Sequence, residues 1–372
     1  MNVLFLEQQP RFGGGSERIS FSLCTYLHGE GHTTHLLHEA DGDMVQAYSK
    51  ITSSVTRAPV RPLAVRQPRA AAASLFGLWR TVRKHRVDVV FTSQIGYVSL
   101  LALARRLLGV RCVVHLGLAL DLGSPVFRWA LQHISATVTP SEPMRIQCLG
   151  IGWPPERLRV VPNGVDLARF RPSEGPSDPP GGLVRREGTP QLVYAGRLVA
   201  EKGIFTLLRA AALLMGRGVN FHLAMAGLAT GDERKQLIDL ASELGLGSER
   251  FSLLPATDRP EDLFRAADIA VVPSEWQEPF GLVAIEAMAC GAVPVVSDAG
   301  ILPEIVGEAA APCVFPKGHA DRLADAIESL IDHPVTRAAI RESCLDRVRK
   351  HYSLQRFGEA YAAILESAAV KP

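Results

Sequence analysis

The sequence predicts an α/β protein made of two units, each built on a parallel sheet. Three observations carry that expectation. Short apolar runs of strand length alternate with helix-period segments along the whole chain. The alternation breaks once, between Pro172 and Pro190, where Pro-Ser-Glu-Gly-Pro-Ser-Asp-Pro-Pro-Gly-Gly cannot bury a core and reads as a linker or exposed loop. The 372 residues are long for one domain and comfortable for two. The expected division is a first unit at 1–170, a linker at 171–190, a second unit at 191–352 and a terminal segment at 353–372.

Each element follows from its own pattern. Val3–Leu6 is an apolar run and reads as a buried first strand. Its short apolar core and polar continuation exclude a signal peptide. A helix over Ser16–His28 and a strand over Thr33–Leu37 come next. Val87–Thr92, Arg111–His115 and Ala136–Thr139 are further strands, with helices at Gly96–Leu108 and Glu142–Leu149. The second unit opens on strand Gln191–Ala195. Ile204, Leu207, Leu208, Ala211 and Met215 recur at helical spacing, which predicts an amphipathic helix over 203–216. Strands at Asn220–Ala226, Arg250–Leu254, Ile269–Val272 and Val293–Val296 alternate with helices at Asp232–Leu244, Pro260–Ala267 and from Phe280 through Ala289, where Gly291 caps the last. Helices near 319–332, 335–350 and 353–368 close the chain.

Composition narrows the function. A 47% hydrophobic and 21% charged chain is that of a soluble globular protein, and no apolar run is long enough to span a bilayer. Six scattered cysteines lack metal-ribbon or redox spacing and read as reduced, buried thiols of a cytoplasmic protein. Charge is divided unevenly. Residues 1–170 hold 19 Lys and Arg against 11 Asp and Glu, a balance of +8, and the remaining 21 against 27 give −6. A basic half suits an acidic acceptor, a nucleic acid or an anionic membrane surface, or is a solvated face with no partner. The segment Leu75–Arg86 is basic and amphipathic if helical; it docks its apolar face on the first sheet or lies on an anionic membrane.

The most informative stretch is Glu278-Pro279-Phe280-Gly281-Leu282-Val283-Ala284-Ile285-Glu286, which sets two carboxylates eight residues apart across a loop-to-helix junction. The helix start offers unpaired N–H groups to an anion. The carboxylates can accept hydrogen bonds from hydroxyls. Together they suggest a nucleotide that carries a sugar. Tyr194-Ala195-Gly196-Arg197-Leu198-Val199-Ala200-Glu201-Lys202-Gly203 places two cations after a strand, where they can grip a diphosphate or simply form surface salt bridges. Gly13-Gly14-Gly15-Ser16 follows the first strand and opens the first helix, a phosphate or substrate edge or a plain tight turn. Val160-Val161-Pro162-Asn163-Gly164 is a turn signal.

In this order, these segments and Val138-Thr139-Pro140-Ser141 resemble the retaining family-4 nucleotide-sugar glycosyltransferases, glycosyltransferases group 1, over roughly 13–305. The resemblance implies a GT-B fold, two Rossmann-like domains facing across a cleft, with the last helix crossing back onto the first domain. It implies that the second domain binds a nucleoside-diphosphate sugar, UDP before GDP, and that the first binds a glycan, lipid-linked or small-molecule acceptor. Arg197 and Lys202 would hold the diphosphate, Glu278 the sugar hydroxyls, Glu286 the ribose, and Gly196, Phe280, Gly281 and Leu282 would complete the donor site. His115 would hydrogen-bond the donor sugar, and Gly14 and Gly15 would lie by the diphosphate and acceptor. No metal, other cofactor or nucleic-acid partner is expected. An epimerase of the same architecture and an inactive nucleotide-sugar binder are the rival readings.

The chain departs from the family pattern at Leu228-Ala229 after Gly227, at Ile301 after Gly300, and at Leu116 after His115. Asp41-Gly42-Asp43 looks like a metal-binding D-x-D motif but sits in a Gly/Asp turn. His28, His32, His35 and His38 straddle a helix end, a turn and a strand, and do not face one point.

Overall fold

The computed structural model describes residues 1–11, 15–62, 68–117, 125–173, 183, 188–229 and 231–369. It divides into two compact units, Met1–Gly164 with Leu354–Pro372, and Val165–Ser353.

The first unit runs β1 (Asn2–Glu7), α1 (Gly15–Gly29), β2 (Thr33–His38), α2 (Val45–Ser49), β3 (Ser54–Arg57), α3 (Pro68–Lys84), β4 (Val89–Thr92), α4 (Val98–Leu108), β5 (Cys112–His115), α5 (Pro125–Leu131), β6 (Ala136–Thr139), α6 (Glu142–Gly150) and β7 (Leu158–Val160). Its seven strands lie in the order β3-β2-β1-β4-β5-β6-β7, and every pairing is parallel. β1, β4 and β5 are covered on both faces and read as continuous apolar runs for that reason. The strand order reverses between β1 and β4. In open α/β sheets, such a switch point opens a crevice at the carboxyl ends of the strands.

The second unit runs β8 (Gln191–Ala195), α7 (Ile204–Gly216), β9 (His222–Ala226), α8 (Glu233–Glu243), β10 (Phe251–Leu254), α9 (Pro260–Ala266), β11 (Ile269–Val272), α10 (Leu282–Cys290), β12 (Val293–Ser297), α11 (Leu302–Val306), β13 (Val314–Phe315), α12 (Ala320–Asp332) and α13 (Pro334–His351). Its strands follow the order β10-β9-β8-β11-β12-β13, again all parallel, with the switch point between β8 and β11. α10 is buried along most of its length, capped by Gly281 and Gly291, both in the left-handed region. α14 (Leu354–Ala369) then returns the chain to the first unit, where Phe357, Tyr361 and Leu365 are buried and Gly358 presses on the Tyr26 ring of α1.

The α/β class with two parallel-sheet units is borne out. Two readings of the sequence gain detail. Leu183 lies inside the segment read as linker, yet it is 2% exposed in the core of the second unit. The basic segment at 75–86 is helical to Lys84, the end of the longer α3, whose Ser74, Leu78 and Thr81 face inward, with Leu78 in the core beside Val60, as the docking reading expects. All six cysteines are buried and unpaired with one another, and burial pushes Cys24, Cys290, Cys313 and Cys344 up to about 12.

Candidate active site

In the second unit, the loops after β8, β11 and β12 are locked together by backbone contacts that only glycine permits. Gly203 has φ +70°, and a Cβ there would stand 1.8 Å from the Pro273 carbonyl oxygen. Glu275 N–H and Trp276 N–H donate to Glu201 O at 2.9 and 3.2 Å, and Thr206 Oγ1 donates to the Glu275 carboxylate at 2.6 Å. The β8 and β11 loops are thereby one body at the switch point. Gly300, at φ +62°, lies against Glu278, where a Cβ would come within 2.2 Å of the carbonyl oxygen. Ile301 N–H donates to that same oxygen at 3.2 Å, and Gly300 N–H to Gln277 Oε1 at 2.8 Å. Ile301 itself has φ −88° and is buried, so this departure from the family pattern needs no second glycine.

This docking brings Lys202 and Glu278 together. Lys202 Nζ lies 2.5 Å from Glu278 Oε1, with the two side chains 20% and 11% exposed, and the ammonium lies 5.9 Å from the Trp276 ring centre. Arg197 stands half-exposed in the same β8 loop, 3.0 Å from Glu201, with its carbonyl accepting from Tyr194 Oη at 2.6 Å. Gly196 donates its N–H to Ala226 O at 3.0 Å, and Gly227 packs on the Gly196 carbonyl with no room for a Cβ. Leu228, the first residue of another departure, accepts from Leu198 N–H at 2.8 Å and extends the pairing of β8 and β9 into their loops.

The nine-residue α10 begins just after Glu278. Its first N–H groups have no intrahelical partner by geometry. Phe280 turns its ring into the core against Tyr352, with ring centres 5.8 Å apart, so only its backbone can serve a ligand. Leu282 starts the helix and packs beside the core. Glu286 is buried in α10, and its charge acts on Arg169, which pairs with Glu261 at 2.8 Å. The arrangement holds cations, carboxylates and helix N–H groups at the carboxyl end of a parallel sheet, a set able to bind a phosphorylated, hydroxyl-bearing ligand.

In the first unit, a cavity of about 580 Å³ opens at the other switch point, lined from the loops after β1, β2, β4 and β5. Gln94 organises its floor. It donates through Nε2 to Glu7 Oε2 at 2.6 Å and accepts from Gln8 N–H at 2.9 Å. Glu7 is completely buried at the end of β1, and its Oε1 has no close hydrogen-bond partner among the described residues. Burial pushes its carboxyl up to about 8, with Glu17 adding to the rise and Ser20 opposing it. His115, at the end of β5, is 1% exposed and shares a 2.6 Å hydrogen bond through Nδ1 with Tyr361 Oη of α14. Burial pulls the imidazole down to about 3, so the ring is neutral at physiological pH. Gly117, on the cavity wall, packs over His115 Nε2; a Cβ there would lie 3.4 Å from it.

Gly15 opens α1 beside this cavity, and Gly14 lies outside the described residues. Tyr361, Gln94 and Glu7 carry no local sequence signal, because each acts through a partner far away in the chain. A favourable capping or helical pattern could not have singled them out. Asp41 pairs with Arg57 at 2.7 Å, and Gly42 packs on the Pro10 carbonyl, as the turn reading of Asp41-Gly42-Asp43 expects. His32, His35 and His38 bond separately to the N-terminus, Ser54 and Ala40 O. Among the described residues, no three His, Cys, Asp or Glu side chains cluster as a metal site, and no helix is long and apolar enough to cross a membrane.

Two family models match the chain. The glycosyl transferases group 1 model covers residues 181–346, and the glycosyltransferase family 4 model covers residues 13–169. A D-inositol 3-phosphate glycosyltransferase of Catenulispora acidiphila is 38% identical over 208 residues, 52% of this chain and 48% of that one. Its counterpart in Pseudarthrobacter chlorophenolicus is 36% identical over 191 residues, 49% of this chain and 44% of that one. The chain thus spans about half the length of the curated relatives it matches. Among solved structures, Anabaena HepE in complex with UDP superposes with a TM-score of 0.83 at 21% identity, over 99% of this chain and 100% of that one. Sucrose-phosphate synthase from Thermosynechococcus elongatus superposes with a TM-score of 0.82 at 20% identity, over 99% of each chain. These structural likenesses concern the fold.

Proposed function

The chain belongs to the group 1 glycosyl transferases, and from that premise we propose that it moves a hexose from a nucleoside-diphosphate sugar to an acceptor hydroxyl with retention at the anomeric carbon. The observation that carries the reading is the Lys202–Glu278 pair at the β8/β11 switch point, flanked by Arg197 and the start of α10. A diphosphate needs the cations, and a sugar needs the carboxylate. UDP is the favoured nucleotide, supported by the UDP bound to the Anabaena neighbour, with GDP second.

In the proposed reaction, the bond from the anomeric carbon to the leaving phosphate breaks and a bond to the acceptor oxygen forms on the same face. The acceptor proton passes to the departing phosphate oxygen. Lys202 and Arg197 neutralise charge on that phosphate as it leaves. Glu278 accepts from the sugar hydroxyls and Glu286 from the ribose. His115 Nδ1 shares its hydrogen bond with Tyr361 Oη; in the tautomer where Tyr361 donates, Nε2–H would be the donor for the sugar. Because side chains supply the positive charge, the reaction is proposed to run without metal. The second unit takes the donor and the first unit the acceptor, a glycan, a lipid-linked sugar or a small molecule. We place the protein in the cytoplasm, with contact to the inner face of an anionic membrane through α3, where Phe76 is 60% exposed next to Trp79, Arg80, Arg83 and Lys84.

The test is incubation with labelled UDP- and GDP-sugars, with and without pools of acceptors, followed by product analysis. Nucleotide release that depends on acceptor, with an unchanged anomeric configuration in the product, is expected. Isomerised donor without acceptor would identify an epimerase instead, and unchanged donor in every pool a binding protein.

A further inference from the structure

Each cation of the second-unit site is answered by a carboxylate of the protein itself. Lys202 Nζ lies 2.5 Å from Glu278 Oε1, and Arg197 lies 3.0 Å from Glu201. The two pairs differ in kind. Arg197 and Glu201 are half-exposed, a setting in which an ion pair is worth little and yields easily. Lys202 and Glu278 are largely shielded, beside the Trp276 ring, so water and salt screen their charges far less. The backbone of Glu278 is fixed as well. Its carbonyl oxygen accepts from Ile301 N–H at 3.2 Å, and Gly300 is pressed against it. In all, the loops after β8 and β11 set Arg197 and Lys202 against Glu201, Glu275 and Glu278. A site built for phosphate alone gathers cations in excess, and this one does not.

An ammonium has three N–H donors, so Lys202 can hold Glu278 and a phosphate oxygen at once. The carboxylate then stands as a further negative charge beside the phosphate, and like charges side by side are strongly unfavourable. A sugar on that phosphate changes the balance in two ways. Its hydroxyls donate to the carboxylate, and its ester bond holds the diphosphate at about two negative charges. A bare nucleoside diphosphate brings no sugar hydroxyl to Glu278. It also carries close to three charges at neutral pH, because its terminal phosphate loses a second proton at about pH 6.

From this pairing we infer that Glu278 determines specificity for the sugar-bearing nucleotide over the bare nucleoside diphosphate. Its charge at Lys202 weakens the bare nucleotide and so favours release of that product once the sugar has left. The inference rests on the transferase reading, which supplies the donor and the product. It asks more of Glu278 than holding sugar hydroxyls, because a residue with that role alone is indifferent to a nucleotide without a sugar.

The experiment is calorimetric titration of UDP, GDP and a panel of their sugar conjugates into the full native chain and into Glu278→Gln. Glutamine keeps the size of the side chain and an acceptor for Lys202 but removes the charge. The variant is expected to bind the bare nucleotide about tenfold tighter than the native chain does. The native preference for a sugar conjugate over its bare nucleotide is expected to shrink by at least that factor. Unchanged or weaker binding of the bare nucleotide, in a variant that unfolds at the native temperature, overturns the inference. A native chain that binds its bare nucleotide tighter than every conjugate overturns it too, whatever the variant does. Nucleotide binding alongside either result leaves the donor site of the transferase reading standing. A native chain that binds no nucleotide and no conjugate removes both.

Discussion

Lys202 and Glu278 meet at 2.5 Å although they lie 76 positions apart, and each is largely shielded from water. Lys202→Ala is expected to lower kcat/KM on the order of 10²–10³, the usual loss when one preorganised electrostatic contact to a leaving group is removed. Steady-state kinetics at saturating acceptor would show it, and a loss below tenfold would remove Lys202 from the diphosphate. In the proposed reaction, Tyr361 would act through His115, to which it is hydrogen-bonded. Tyr361→Phe keeps the ring packing against Phe91 and Phe357 but deletes the hydroxyl that fixes the imidazole. We expect kcat to fall with little change in the donor's KM, whereas a role in packing alone would lower stability and leave kcat intact. Glu7 makes a different prediction. Its folded carboxyl titrates at about 8 against an ordinary value of 4.5. Between these values the folded state keeps a proton that the unfolded state releases, so its contribution to stability is full below about 4.5 and is lost as pH rises through about 8. Glu7→Gln is expected to flatten the decline in Tm between pH 5 and pH 9, measured by calorimetry beside the native chain. Identical declines would show that Glu7 is ionised throughout.

Among the elements, those legible in the sequence are the ones that bury most. β8 and β11 lie at the residues where their apolar runs place them, and α7 begins one residue inside its expected span. The elements that went unseen give a weak signal for physical reasons. β3 is a half-exposed edge strand, Ser-Val-Thr-Arg, β13 has two residues, and α2 has five. Short edge pieces gain their structure from a neighbouring strand or helix rather than from their own pattern. The loops matter more than these elements for the site. Gly203 joins the β8 and β11 loops at a position with both positive φ and no space for a side chain. Gly203→Ala is expected to destabilise the second unit by roughly 1–3 kcal/mol or more, and to weaken nucleotide binding by displacing Lys202 from the site. Thermal unfolding and UDP titration on the same variant check both parts. Unchanged nucleotide affinity would mean that the loops hold their places without that contact.

Across the whole molecule, one rule locates both candidate sites. Each sheet reverses its strand order once, between β1 and β4 and between β8 and β11, and the residues of interest cluster at those two points. The sequence motifs named most of the second-unit residues, because Arg197, Lys202, Glu278 and Glu286 sit in compact segments with their own spacing. They could not show that the Gly203 and Gly300 contacts weld three loops together, since those contacts join segments 70 and 22 residues apart. The first-unit pocket was barely legible. Its glycine loop gave a weak signal, while Gln94, Glu7 and Glu39 look like ordinary polar residues until the sheet assembles them. The measurement that bears most directly on the central claim is titration of UDP and of UDP-glucose into the native chain, the Arg197→Ala/Lys202→Ala variant and the Glu286→Ala variant. We expect binding by the native chain, loss of most of it in the double variant, and a weaker nucleotide in Glu286→Ala. Affinities that stay the same in all three proteins would contradict a donor site at the β8/β11 switch point.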